Sequence, residues 1–82
     1  MTKKLKRIPL DSSMIEAAAY DTKSKTLYLQ FVNTGKVFAY EDVPEDTFQE
    51  LLAADSVGRF VRAEILGAYV DYHVRSGRDF RW

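Results

Sequence analysis

The sequence predicts one α+β domain, in which a three-stranded antiparallel meander is followed by two α-helices packed on one sheet face. Three observations support this fold. Apolar residues alternate in the first half of the chain and recur at helical spacing in the second half. Pro44 marks the change of period, because proline cannot donate to a sheet ladder but suits a helix start. A chain of 82 residues has room for a single core.

Composition places the chain among ordinary soluble globular domains, with 46% hydrophobic and 29% charged residues. The formal net charge is zero, which argues against a generic polyanion binder. The absence of cysteine excludes a disulfide framework, a thiolate nucleophile and a sulfur-ligated zinc site. We find no apolar run long enough to span a bilayer and no secretory signal, and therefore expect a cytoplasmic protein without membrane contact.

Positive charge is concentrated at the two ends of the chain. Residues 1–10 carry Lys3, Lys4, Lys6 and Arg7, and they predict a flexible basic arm, with a phosphate-binding arm as the alternative. Residues 75–82 predict a flexible basic tail, although Phe80 and Trp82 provide apolar surface that could dock. The domain itself is expected to occupy residues 11–74.

Three segments predict the strands of the meander. Residues 14–20 have some helix propensity, but the turn residues that follow favour a strand with Ile15, Ala17 and Ala19 on one face. Residues 26–32 are dense in β-favouring side chains, with Leu27, Leu29 and Phe31 on one face. A loop at 33–35, in which Gly35 suits a positive φ, leads to the third strand at 37–41.

Helical spacing begins after the third strand. The first helix is predicted from Pro44 to about residue 54, with Phe48, Leu51 and Leu52 as its apolar stripe. Ser56 is the expected N-cap of a second helix that buries Val57, Phe60, Val61 and Ile65. Gly58 in its first turn predicts a close approach to another backbone, and Gly67 a helix end. Residues 68–74 alternate again and predict a short extra strand or an extended segment on the core.

No catalytic set can be assembled from the sequence, and we expect a non-enzyme without a cofactor. His73 is the only histidine, and its one candidate partner is Asp71, two residues away on the same predicted strand face. The six acidic residues between Glu41 and Asp55 are better explained as the solvated face of a helix than as metal ligands. We therefore predict no catalytic residue and no metal site.

Aromatic and basic residues together provide the one functional signal. A sheet face that exposes aromatic rings beside cations can stack unpaired bases, whereas the simpler interpretation places the same rings in the core. The leading hypothesis is a module that binds RNA or another nucleic acid. The competing hypothesis is a protein-interaction module that uses the acidic helix face or a sheet edge. The candidate nucleic-acid-binding residues are Lys25, Lys36, Arg59 and Arg62 for phosphate, and Tyr28 and Tyr40 for stacking.

The order and spacing of several short motifs resemble the KTSC domain, a small family named from its occurrence at the C-terminus of some lysyl-tRNA synthetases. The resemblance covers about residues 10–72 and implies a stand-alone bacterial or phage-like domain of unestablished function, with RNA contact suggested by the synthetase association. The chain departs from the family pattern at Phe38, where tyrosine is usual, and at Val61, where many members carry asparagine. The motifs are Ser12-Ser13-x-Ile15, Tyr20-Asp21, Asn33-x-Gly35, Phe38-Ala39-Tyr40, Val43-Pro44, Ala54-Asp55-Ser56-x-Gly58-Arg59-Phe60, Ile65 and Tyr69.

Overall fold

The computed structural model describes residues 4–82 and shows a five-stranded antiparallel sheet with two helices. The strands lie in chain order, β1-β2-β3-β4-β5, with every neighbouring pair antiparallel. The α+β class, the antiparallel sheet and the two helices are therefore confirmed, but the sheet has five strands instead of three and an optional fourth. The strands are β1 (Ile8–Pro9), β2 (Ile15–Asp21), β3 (Thr26–Phe31), β4 (Val37–Tyr40) and β5 (Asp71–Val74).

The first predicted strand contains an irregularity that changes its facing residues. The pairing of β2 with β3 shifts between Ile15 and Ala17, so that Glu16 interrupts the simple alternation. As a result Ile15 lies in the same buried cluster as Ala18, whereas Ala19 belongs to a cluster on the opposite face. The prediction that Ile15 shares a face with Ala19 is wrong for this reason.

Two helical segments follow the meander. Helix α1 (Glu45–Ala53) begins directly after Pro44, and Glu45 and Asp46 lie in its first turn, where acidic side chains favour the helix dipole. Helix α2 (Val57–Phe60) continues into a π-helical segment (Val61–Ile65), closed by a hydrogen bond from the Leu66 N–H to the Val61 carbonyl at 2.9 Å.

The start of α2 is fixed by a cap at Ser56 and by a close contact at Gly58. The Ser56 Oγ accepts the Arg59 N–H at 3.3 Å, which confirms the predicted N-cap. A Cβ atom at Gly58 would lie 3.3 Å from the Cβ of Met14. The close approach that explains this glycine is thus real, but the neighbour is a side chain rather than a backbone.

The helices cover one face of the sheet, called here the helix-covered face. Its core combines the alternate residues of the central strands with the apolar stripes of both helices. Tyr20 stacks on Phe48 of α1 with 5.1 Å between ring centroids, and the Tyr20 hydroxyl donates to the Val43 carbonyl. The fully buried members of this core are Ile15, Ala18, Leu27, Leu29, Val43, Leu51, Val61 and Ile65, with Tyr40 at 1% exposure.

The terminal segments lie on the opposite face, called here the tail-covered face. Phe80 is fully buried there, with its ring centroid 5.0 Å from that of Tyr28 and 5.0 Å from that of Trp82. Leu5 is also buried, and its N–H donates to the Arg81 carbonyl at 2.6 Å. The flexibility expected of residues 1–10 and 75–82 stays a prediction, and residues 1–3 lie outside the described residues. The buried side chains of Leu5 and Phe80 nevertheless show that the described parts of both segments pack on the tail-covered face.

Candidate functional site

A groove of about 400 Å³ opens on the helix-covered face, beside strands β3 to β5. Phe31 and Phe38 are only half-buried there, whereas Leu27 and Leu29 of the same face are fully covered. This corner of the face is therefore only partly covered. We call it the aromatic groove; it is lined by Phe31, Asn33, Thr34, Lys36, Phe38, Tyr40, Leu66 and Asp71.

A row of three aromatic side chains crosses this corner from β3 to β5. The Phe31 and Phe38 rings meet edge to face, with centroids 6.0 Å apart and planes at 88°. His73 lies directly opposite Phe38 in the β4–β5 register, and their ring centroids are 5.4 Å apart. Phe31 and Phe38 are partly exposed and His73 is exposed, so the row presents ring surface to solvent.

Two cations flank the aromatic row. Lys36 lines the aromatic groove itself, and Arg62 lines an adjoining depression that shares Phe31 and Asn33 with the groove. The Arg62 Nη1 lies 3.6 Å from the Met14 Sδ, which helps to hold the guanidinium over this side of the sheet. Within residues 4–82 neither cation forms an ion pair with a carboxylate. Both charges are therefore available to an anion.

The structure separates the other two predicted cations from this surface. Lys25 precedes β3 at the far end of the sheet, where its carbonyl accepts the Val43 N–H at 2.9 Å. Lys25 and Lys36 are thus separated by the length of β3, about 20 Å at roughly 3.3 Å per residue. Arg59 lies on the outer side of α2 in a shallow depression that also contains Glu50, Asp55 and Glu64. Of the predicted cations, only Lys36 and Arg62 lie beside the aromatic row.

The two predicted stacking residues lie on opposite faces of the sheet, and both are buried. Tyr28 packs on Phe80 at the tail-covered face and is 9% exposed. Tyr40 forms the closed end of the aromatic groove at 1% exposure. Burial, with a contribution from the charge of Asp71, raises the pKa of Tyr40 to about 12. Neither ring has a free surface for a base, so its burial argues against the predicted stacking role of Tyr28 and Tyr40. The rings that stay partly or fully exposed on the helix-covered face are Phe31, Phe38 and His73.

The residues weighed for catalysis and metal binding form no reactive set. Asp71 and His73 lie on the same strand face, as expected from their spacing, but no hydrogen bond joins their side chains. Over residues 4–82, no group of three histidine or acidic side chains is close enough to hold a metal ion. None of the helices in this part of the chain is long and apolar enough to cross a membrane.

Comparisons with known proteins show which family shares this fold. The family model of the KTSC domain matches residues 11–69, which include Phe31, Lys36, Phe38 and Arg62 but not His73. A crystal structure of a KTSC domain protein from Yersinia pestis superposes with a TM-score of 0.83 at 32% identity, covering 87% of this chain and 99% of that one.

Two sequence relatives are also from bacteria. A protein of Tsukamurella paurometabola is 49% identical over 53 residues, which are 65% of this chain and 78% of the relative. An uncharacterised protein of Stutzerimonas stutzeri is 40% identical over 55 residues, which are 67% of this chain and 76% of the relative. The resemblance noted in the sequence is thereby confirmed.

Proposed function

The chain belongs to the KTSC domain family, and we propose that it binds unpaired RNA or another single-stranded nucleic acid through the aromatic groove. The observation that carries the proposal is the partly exposed row of Phe31, Phe38 and His73 between the cations Lys36 and Arg62. In this interpretation the protein is a binding module of the cytoplasm rather than an enzyme.

Stacking on the aromatic row supplies the first part of the interaction. Neighbouring strands lie about 4.8 Å apart, so three rings on β3, β4 and β5 span roughly 10 Å of surface. Antiparallel sheets that present aromatic side chains on neighbouring strands can stack two or three unpaired bases. Each stacked base contributes about 1–3 kcal/mol and shows little sequence preference. A duplex would not fit this mode, because its bases are already stacked on one another.

The flanking cations supply the second part. Lys36 and Arg62 lie on two sides of Phe31, so a strand whose bases stack on the row can pass its phosphates over both charges. Asn33 and Thr34 are exposed at the same rim and offer amide and hydroxyl groups to base edges. Asp71 opposes phosphate at the closed end, and the formal net charge of the chain is zero. The expected affinity is therefore modest and comes chiefly from stacking.

A titration of the ¹⁵N-labelled protein with a short unstructured oligouridine at two salt concentrations tests the proposal. Backbone shifts are expected at Phe31, Lys36 and Phe38, and they should weaken at the higher salt because phosphate contacts release counterions. Saturating oligouridine that produces no shifts at low salt would overturn the proposal, as would shifts confined to the outer side of α1.

A substitution inside the row separates stacking from simple packing. Phe38→Leu keeps an apolar side chain in the half-buried position but removes the aromatic face, so affinity should fall by about 1–3 kcal/mol for one lost base stack. Leu66→Ala is the matched control, since Leu66 lines the groove without an aromatic ring. Equal losses for the two variants would show that the ring face is not what the ligand uses.

A further inference from the structure

The two edges of the sheet differ in how well they are protected. At one edge, β1 is two residues long and contains Pro9, which cannot donate a ladder hydrogen bond. At the other edge, β5 is four residues long, has no proline or lysine, and pairs on its outer side with nothing in residues 4–82. Val70 and Tyr72 at this edge are exposed by 67% and 44%, among the few large apolar side chains left in solvent.

The register of β5 shows which backbone groups are free. The Glu41 N–H donates to the Val70 carbonyl at 2.9 Å. The backbone N–H and C=O groups of Val70, Tyr72 and Val74 therefore point towards β4. Asp71 and His73 lie between these positions, and their N–H and C=O groups point away from the sheet. The next such group, the Arg75 N–H, already donates to the Asp79 carboxylate at 2.7 Å. The open edge is thus the short stretch from Asp71 to His73.

From this pattern we infer that β5 is the docking edge for a second copy of the same chain, paired antiparallel about a two-fold axis at Tyr72. Antiparallel pairing opposes outward-pointing residues, which leaves three registers for this edge. Centring on Tyr72 sets Asp71 opposite the partner's His73, and His73 opposite the partner's Asp71. The neighbouring registers set Asp71 against the partner's Asp71, or His73 against the partner's His73 with Asp71 against the partner's Arg75. Only the register centred on Tyr72 pairs every outward N–H and C=O group of Asp71 and His73 with a free group of the partner, because the Arg75 N–H is already bonded to Asp79. The same register lets each imidazole N–H of His73 face a carboxylate.

The same register covers the exposed apolar side chains. Tyr72 meets the partner's Tyr72 in a non-hydrogen-bonded pair, where Cα atoms lie about 4.5 Å apart. Val70 comes opposite the partner's Val74. Both contacts fall on the tail-covered face, so apolar surface meets apolar surface while Asp71 and His73 pair on the other face. The contact is isologous, the usual arrangement of homodimers.

The dimer bears on the aromatic groove without depending on its proposed ligand. His73 ends the aromatic row at the free edge, so the partner's Asp71 becomes part of the groove rim. Two outward-facing pairs exchange about four backbone hydrogen bonds, which is a small interface. Such interfaces give weak, reversible association rather than an obligate dimer. Concentration therefore controls the assembly.

Charge exchange across the axis tests the register by sedimentation velocity over a concentration series. His73→Glu should weaken the dimer at least about 5-fold, because it places two carboxylates opposite one another twice. Asp71→Arg should also weaken it, because it removes the carboxylate that faces each His73. The double variant D71R/H73E places opposite charges at both positions and should recover the dimer. A wild-type chain that stays monomeric at about 1 mM, or a double variant no tighter than the single ones, would overturn the inference.

A cysteine on the axis gives a second readout that leaves Asp71 and His73 intact. The native chain has no cysteine, so Tyr72→Cys introduces the only thiol. A non-hydrogen-bonded antiparallel pair falls within the Cα separation that a disulfide needs, so mild oxidation should link two chains. Thr22→Cys, exposed in the turn between β2 and β3, is the matched control and should link far more slowly. Equal rates for the two variants would contradict a two-fold axis at Tyr72, whatever the outcome of the oligouridine titration.

Discussion

Replacing Phe80 by alanine should remove the anchor that holds the C-terminal segment on the tail-covered face. Phe80 is fully buried between Tyr28 and Trp82, each with its ring centroid 5.0 Å away. Truncating a buried phenylalanine to alanine costs about 3–5 kcal/mol, and the lower end applies because a chain terminus can relax around the cavity. The free energy of unfolding of small domains is roughly 5–15 kcal/mol, so the variant should lose a large fraction of its stability.

Urea denaturation of the wild type and of Phe80→Ala measures this loss of unfolding free energy directly. On heating, a loss of about 3 kcal/mol should lower the thermal midpoint by about 12–24 °C. Arg78→Ala, at an exposed position in the same segment, is the control and should change stability very little. A loss of less than about 1 kcal/mol for Phe80→Ala would refute the reasoning. It would mean that the tail frays, as the sequence predicts, and that the sheet is stable with this face open.

Two further predictions concern the helix start and the buried phenol. Ser56→Ala removes the acceptor of the Arg59 N–H and should lower the free energy of unfolding by about 1 kcal/mol, whereas Ser56→Asp should retain the cap. Because burial raises the pKa of Tyr40 from 10.0 to about 12, the unfolded chain loses this proton first, and stability should fall by roughly 2 kcal/mol as pH rises from 10 to 12. Tyr40→Phe should lack that part of the alkaline loss; equal losses in both proteins would show that Tyr40 is not its source.

The sequence predicted the elements whose signals are local. Alternation, turn residues and helical spacing located the meander, both helices and the Ser56 cap. The two-residue strand at Ile8–Pro9 carries no such signal, because proline lowers strand propensity and the pairing depends on a distant partner. The shift at Glu16 was equally hidden, since a bulge leaves composition unchanged while it moves Ile15 to the other face.

The covering of the second face could have been inferred from the central strands. Leu27 and Leu29 face one side while Tyr28 faces the other, and Val37 and Ala39 are as apolar as Phe38 and Tyr40. A strand that is apolar on both sides requires a layer on each face. Two helices supply one layer, so the terminal segment with Phe80 and Trp82 has to supply the other.

The candidate site was predicted only in part. Lys36 and Arg62 were identified from charge alone, and the fold places them beside the same row of rings. The aromatic partners could not be identified in this way, because exposure of a ring depends on where the helices end rather than on the strand sequence. Alternation predicts Phe31 as a core residue, yet its side chain packs at the margin of the core and is only half-buried.

The salt dependence of oligouridine binding by two lysine variants tests the central claim most directly. If Lys36 and Arg62 each neutralise one phosphate, log Kd of the wild type should change with log salt with a slope of about 1.4 in magnitude. Lys36→Gln should reduce that magnitude to about 0.7, while Lys25→Gln, at the far end of β3, should leave both slope and affinity unchanged. Equal effects of the two variants, or none from either, would contradict binding in the aromatic groove.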